Sequence, residues 1–338
     1  MRRQLQSTVE ALIARGKGIL AADETPSTIE SRFKALDIVS TEQNRKAYRE
    51  LLFTAPGLGE CVSGAIMVDE TIRQQTAAGI PMPEALAKQG IMPGVSVDKG
   101  TVPLVAFPDE EITEGLDGLS LRLDEYRKLG ACFTKWRAVI TISEELPTRT
   151  CIDINARTLA LFAALSQEAG LVPIVEPEIL MKGDHTISRY GEVACATLQS
   201  VFAALREHRV VLEQLLLKTG MILPGTQCAQ QADAEAVAEA TLRCLLRTVP
   251  TAVPGIVFLS GGQSDAEATE RLNAICRVGD KPWRLSFSFS RALQTPVLNT
   301  WKGTPGNVVA AQAALYHRAQ CNSAATRGEY SPRMEAVG

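Results

Sequence analysis

Short apolar and β-branched runs alternate with longer stretches of helical periodicity along almost the whole chain. Nothing else in the sequence constrains the fold as strongly. The runs fall at 18–24 (GILAADE), 62–69 (VSGAIMVD), 93–99 (PGVSVDK), 133–141 (FTKWRAVIT), 172–178 (VPIVEPE), 213–219 (EQLLLKT), 255–260 (GIVFLS) and 284–288 (RLSFS). They are close to continuously apolar, as parallel strands covered on both faces are. Between them, 116–130, 153–170, 190–208, 233–249 and 264–279 keep apolar residues at spacings of three and four. Asp153 is the expected cap of the second of these. Strand and helix in strict alternation give a parallel sheet, and eight strands are the number that closes a (β/α)8 barrel. A doubly wound open sheet is the rival, but no G-x-G-x-x-G turn follows the first run. The expected fold is therefore α/β, a TIM barrel in one domain over 1–338, with about 326–338 a mobile tail. The opening MRRQLQSTVEALIARG reads as a short amphipathic surface helix.

Polar residues gather where such a barrel does its chemistry. Nearly every run ends in a charge or a hydroxyl: Asp23, Asp69, Lys99, Lys135 with Arg137, Glu176 with Glu178, Lys218, Ser260 and Ser288. In a barrel the C-terminal strand ends and the loops beyond them build the active site. Any one of these charges could simply open a solvated loop, and Asp69 is read that way; the joint pattern is harder to dismiss. Strand alternation puts Lys135 and Arg137 on one face and Trp136 on the other, and it pairs Glu176 with Glu178. If Lys218 also points inward, the mouth holds two lysines, an arginine, two glutamates and an aspartate. A lysine beside another cation has its pKa lowered and becomes a better nucleophile. A carboxylate among carboxylates is raised and can serve as a general acid.

The seventh run leads into Ser260-Gly261-Gly262 and then a helix opened by Ser264. Barrels often hold phosphate at the loops after their last two strands. Arg291, just past the eighth run, lies at the same corner.

Composition narrows the partners. A formal net charge of −3, with basic residues scattered, gives no footprint for nucleic acid or membrane. No apolar run is long enough to span a bilayer, and no signal-like segment opens the chain, so a cytoplasmic location is expected. The eight cysteines form no C-x-x-C pair and the three histidines are far apart, so neither a disulfide framework nor a metal site is expected.

GKGILAADE, VDKG, FTKWR, VPIVEPEIL, LLLKTGMILPG and FLSGGQS, in this order and at these spacings, resemble class I fructose-1,6-bisphosphate aldolase, over about residues 10–332. The resemblance implies reversible cleavage of fructose 1,6-bisphosphate to glycerone phosphate and glyceraldehyde 3-phosphate through a lysine Schiff base, with no metal or other cofactor. It implies Lys218 as the Schiff-base lysine, Lys135 as its assistant and Glu176 as proton shuttle with Glu178 beside it. It also implies that Asp23 orients substrate and takes part in carbon–carbon cleavage. The implied place of one phosphate is Ser260, Gly261, Gly262, Ser288, Ser290 and Arg291, and of the other the region of Thr25, Thr28 and Arg32, with Lys99 and Arg137 completing the implied binding set. A homotetramer is implied as well.

Three departures qualify this. Thr25-Pro26-Ser27-Thr28 stands where many members have Ser-Thr-Gly-Ser, and Pro26 removes an N–H. Phe289-Ser290 replaces Tyr-Gly, so residue 290 can approach phosphate by its backbone only at suitable angles. Animal members end in a tail with a terminal tyrosine; here the sequence stops at GEYSPRMEAVG, and either its proton step is expected to fall to Glu176 or water, or the balance between bisphosphate and monophosphate substrates is expected to differ. The alternatives are a Schiff-base aldolase or transaldolase-like enzyme for another phosphorylated sugar, and a degenerate scaffold without activity.

Overall fold

The computed structural model describes residues 2–337. Its strands are β1 (Gly18–Ala21), β2 (Val62–Met67), β3 (Met92–Ser96), β4 (Thr101–Pro103), β5 (Glu111–Thr113), β6 (Phe133–Ile140), β7 (Val172–Ile179), β8 (Leu216–Thr219), β9 (Gly255–Phe258) and β10 (Arg284–Phe289). Eight of them close a parallel barrel in the order β1-β10-β9-β8-β7-β6-β3-β2. Every expected run contributes one barrel strand. β4 and β5 form a separate antiparallel pair beyond β3, which the alternation does not anticipate.

Two apolar compartments follow from the period of two along each strand. Ile19, Ala21, Ile66, Phe133, Val172, Ile174, Leu216 and Val257 fill the barrel interior. Trp136, Val175, Leu217 and Phe258 face outward into the larger layer under the helices, where Trp136 lies 5.6 Å from the Phe162 ring. Phe133 fits because β2 and β3 each offer a glycine to its ring. A Cβ on Gly94 would come within 2.2 Å of it and one on Gly64 within 3.1 Å.

The N-terminal helix, Arg2–Leu12, is not a surface decoration. Leu5, Val9, Leu12 and the following Ile13 belong to the interior cluster and stopper the barrel at its N-terminal end. Burying a side chain of this size is worth about 1.5–3 kcal/mol, so the plug contributes materially to stability. Its apolar stripe reads the same whether it faces the outside of a barrel or its base.

Several of the outer helices start on side-chain caps. Ser264 forms a capping box with Glu267, and Asp233 caps Ala234–Thr248. Asp153 is no cap: that helix begins a turn earlier, at Arg149, behind Thr148, and Asp153 instead accepts from Ser200 and pairs with Arg149. Asp69 does face outward, toward Arg73 and Tyr126. Beyond the last long helix, Val308–Thr326, the segment expected as a tail makes contacts: Tyr330 is buried, its N–H donates to Asn273, and Glu335 pairs with Arg318. All eight cysteines are free thiols. Among the described residues, no helix is long and apolar enough to cross a membrane.

Candidate active site

Four interior strand positions turn from apolar to ionisable at the C-terminal end of the barrel. Ile19 and Ala21 are followed by Asp23, Phe133 by Lys135, Ile174 by Glu176, and Leu216 by Lys218. Each step of two keeps the same face and climbs one layer. The apolar layers below hold these side chains upright, and the strands carry them with little freedom to move.

The charges pair tightly. Lys218 Nζ lies 2.9 Å from Glu176 Oε1. Lys135 Nζ lies 2.7 Å from Asp23 Oδ2, 3.5 Å from Asp98 Oδ2 and 3.6 Å from Glu176 Oε2. Glu176 thus touches both lysines, one with each oxygen, and Oε2 has no hydrogen-bond partner among the described residues. Lys135, Glu176 and Lys218 are each no more than 5% exposed. Buried charges this dense persist only when mutually compensated.

The titration behaviour follows from that packing. Burial pushes the Glu176 carboxyl up, and Lys218 and Lys135 oppose the rise without cancelling it. Asp23 would also be raised by burial, but Lys135 and then Lys218 hold it well below the usual carboxylate range. Burial lowers Lys135, yet Asp23, Asp98 and Glu176 together push it well above the usual range. It is a fixed cation, and Glu176 is the carboxyl whose protonated form burial favours.

Asp98 is the residue that sequence reasoning missed. Val95 and Val97 pack outward, so Ser96 and Asp98 face inward and Lys99 does not. Asp98 accepts from Ser96 Oγ at 3.0 Å besides meeting Lys135. Lys99 is exposed and joins neither lysine. The alternation that sorts Lys135 from Trp136 would have found Asp98 too.

Around this centre lie the anion candidates. Arg137 pairs with Glu178 at 3.0 Å on the rim. Ser260 is buried, and Gly262 takes a φ of +72°, which a side chain would strain. A Cβ on Gly261 would approach Glu178 Oε1 at 3.9 Å, so this loop leans on the rim carboxylate. Ser288 alternates with the outward Phe287 and Phe289, is 1% exposed and has no partner for its hydroxyl among the described residues. Arg291 is exposed at the start of helix Arg291–Trp301. Ser290 has φ −104°, so no glycine is required there. Pro26 is the first residue of helix Pro26–Lys34, where its missing N–H costs nothing, and Thr25 caps that helix by accepting from Thr28 N–H. Thr25 and Thr28 are exposed and bonded to each other. Arg32 reaches from the same helix to Glu24 and Ser290, so the two phosphate regions separated in the sequence meet at one seam.

Away from the mouth, His317, Cys321 and Glu335 bring three potential ligand atoms within 4.8 Å of one another, with Glu335 engaged by Arg318 and Tyr330.

The family model described as "Glycolytic: Fructose-bisphosphate aldolase class-I" matches residues 4–337. A Xylella fastidiosa protein named probable fructose-bisphosphate aldolase class 1 is 53% identical over 328 residues, covering 97% of this chain and 98% of its own. An Arabidopsis thaliana protein named fructose-bisphosphate aldolase 5, cytosolic, is 48% identical over 97% of this chain and 92% of its own. The solved structure of Plasmodium falciparum fructose-bisphosphate aldolase, in complex with TRAP and a small-molecule inhibitor, matches with a TM-score of 0.96 at 47% identity. That match covers 97% of this chain and 95% of the Plasmodium chain.

Proposed function

The chain belongs to the class I fructose-bisphosphate aldolases, and from that premise we propose that Lys218 is the amine that forms the Schiff base and Glu176 the group that moves its protons. The enzyme is a glycolytic carbon–carbon lyase. It cleaves fructose 1,6-bisphosphate reversibly to glycerone phosphate and glyceraldehyde 3-phosphate, and the class I family works without a metal ion.

One contact carries the assignment: Lys218 Nζ at 2.9 Å from a buried carboxyl whose pKa is raised. The neutral amine attacks the substrate ketone. The carbinolamine oxygen takes a proton and leaves as water, and the resulting iminium becomes the electron sink. A proton then leaves the hydroxyl on the far carbon of the scissile bond, β to the iminium carbon. That bond breaks, the aldehyde departs, and an enamine remains to be protonated and hydrolysed. Glu176 is placed to accept and return protons at nitrogen and at the departing oxygen. Asp23, held ionised by Lys135, orients the sugar hydroxyls and takes part in the cleavage, and Lys135 fixes the field over the reacting carbon. Ser260, Gly261, Gly262, Ser288, Ser290, Arg291 and Arg32 serve the two phosphates, with Thr25, Thr28, Arg137 and Lys99 farther out. Glu178 supports the rim. Holding the substrate by both ends supplies much of the orientation that catalysis needs.

Borohydride reduction in the presence of glycerone phosphate is expected to leave one stable adduct per chain, and peptide mapping should place it on Lys218. An adduct on any other lysine would sink the assignment.

A cytoplasmic location is proposed on the strength of the cytosolic relative. Cell fractionation that found the protein in an organelle or envelope fraction would count against it. The homotetramer is proposed on the family resemblance. Val105, Leu121, Leu246 and Val309 are large apolar side chains left exposed on the single chain, and subunit contacts would cover surface of this kind. Light scattering is expected to give the mass of four chains, and the mass of one chain would refute it.

A further inference from the structure

The carboxylate next to Asp23 has no part in the chemistry above, yet it is among the most heavily bonded groups in the protein. Glu24 is 8% exposed. Its Oε1 accepts from Ser290 Oγ at 2.6 Å, Arg32 Nη1 at 2.7 Å and Gln294 Nε2 at 2.7 Å. Its Oε2 lies 2.5 Å from Nη1 of Arg49, itself 3% exposed. Gln294 is fully buried and fixed in turn by the Tyr48 hydroxyl and the Ala21 carbonyl. A network tied into the core at this many points leaves Glu24 one position to occupy.

We propose that Glu24 is a positioning residue for substrate phosphate: it holds the Arg32 guanidinium where Arg32 can grip the phosphate at the end of the sugar remote from the Schiff base. The inference rests on the aldolase reading above.

Proton inventory supports it. The Ser290 hydroxyl has one proton, given to Glu24, and it accepts from Arg32 Nη2 at 3.1 Å. Its side chain is therefore fully used in fixing Arg32 and has nothing left to donate to a phosphate. Arg32 has five N–H groups; two are engaged, by Glu24 and Ser290, and its side chain is 19% exposed at the mouth. Three donors in a fixed plane remain for an anion, the geometry in which guanidinium binds phosphate best.

Charge points the same way. One carboxylate against two guanidiniums leaves a net positive charge at the seam between β1 and β10, so the site still attracts an anion while its arginines are kept from repelling each other. Burial raises Glu24, but Arg49 and then Arg32 lower it further, so it stays ionised. The position is set before the ligand arrives, and that lowers the cost of binding.

A purely structural role, neutralising buried Arg49, would affect every substrate alike. The test compares fructose 1,6-bisphosphate with fructose 1-phosphate, which lacks the remote phosphate, in the full-length Glu24→Gln and Glu24→Asp variants. Glu24→Gln is expected to raise KM for the bisphosphate by about tenfold, to leave kcat within about threefold, and to change KM for the monophosphate by less than about twofold. If Glu24→Gln fails to fold, Glu24→Asp decides. It keeps a charge against Arg49 but withdraws the carboxylate from Arg32 and Ser290, and the same split is expected. Equal KM increases on both substrates, or a fall in kcat with KM unchanged, would overturn the inference while leaving the aldolase assignment standing. Wild-type protein that turned over neither substrate would remove both.

Discussion

Replacing Lys218 with methionine is expected to lower kcat/KM for fructose 1,6-bisphosphate by about 10⁵-fold or more, and to abolish borohydride trapping, while the protein stays folded. Loss of a covalent nucleophile is among the largest single effects known in enzymes, because what remains is only binding and orientation. Here the loss should be close to complete. The iminium is the electron sink for bond cleavage, and among the described residues the one other lysine in the charged cluster is Lys135, which its three carboxylates keep protonated. Methionine suits the test because it matches the length of the lysine stem and is apolar, so it can lie along the buried wall that Leu216 begins. The cost to the fold is limited for a second reason. The substitution removes the 2.9 Å partner of Glu176, but burial already raises the Glu176 pKa and the carboxyl can take up a proton in compensation. Circular dichroism and the thermal midpoint check the fold, and coupled turnover checks the rate. A variant retaining a hundredth of the activity would mean that the reaction does not run through this amine.

The barrel is legible in the sequence because both of its signals are local. A parallel strand buried on both faces must be apolar along its length, and a covering helix must repeat every three to four residues, so the alternation survives without any knowledge of what touches what. The inward face is legible for the same reason: Lys135, Glu176 and Lys218 each sit two residues beyond an apolar interior residue. What stays hidden is whatever depends on contacts between distant segments. Asp98 could have been found by counting from Val95 and Val97, and Lys99 drew attention only because it carries the charge in VDKG. The plug made by Leu5, Val9 and Leu12 could not be found by counting, because an amphipathic stripe does not say which apolar surface it meets. Thr148 and Asp153 are both good caps, and the extra turn of helix between them is decided by the packing of Cys151 and Ile152, both buried. Glu24 is the sharpest case. In AADE it looks like a solvent-facing neighbour of Asp23, and only Arg49, 25 residues on, and Gln294, 270 residues on, make it a buried anchor.

Substituting methionine for Lys135 should produce the second large effect, on stability and rate together, and the pH dependence identifies its cause. Lys135 is the cation on which Asp23, Asp98 and Glu176 converge, within 3.6 Å. Removing one partner of a buried pair typically costs about 3–5 kcal/mol, because the remaining charge is left uncompensated. In the wild-type protein Asp23 is held below its unfolded value, so its contribution is present above that value and is lost only as pH falls through the still lower folded value. Without Lys135, burial is the dominant influence left on Asp23 and reinforces the rise already present at Glu176. A carboxyl raised in the folded state acts with the opposite sign. The stability it permits is full below the unfolded pKa and is lost as pH rises through the folded one. The deficit of Lys135→Met relative to wild type is therefore expected to be largest near pH 8 and to shrink as pH falls toward about 5. A variant that had merely lost packing would show a constant deficit across that range. Activity should fall by about 10³-fold at neutral pH, the scale of losing a positioned group that acts on the transition state. It should not recover on acidification along with stability, because a protonated Asp23 no longer presents the charge that orients the substrate. Thermal melts and steady-state rates from pH 5 to pH 8 separate the two effects, and a rate that recovered in parallel with the midpoint would show that Lys135 serves the fold alone.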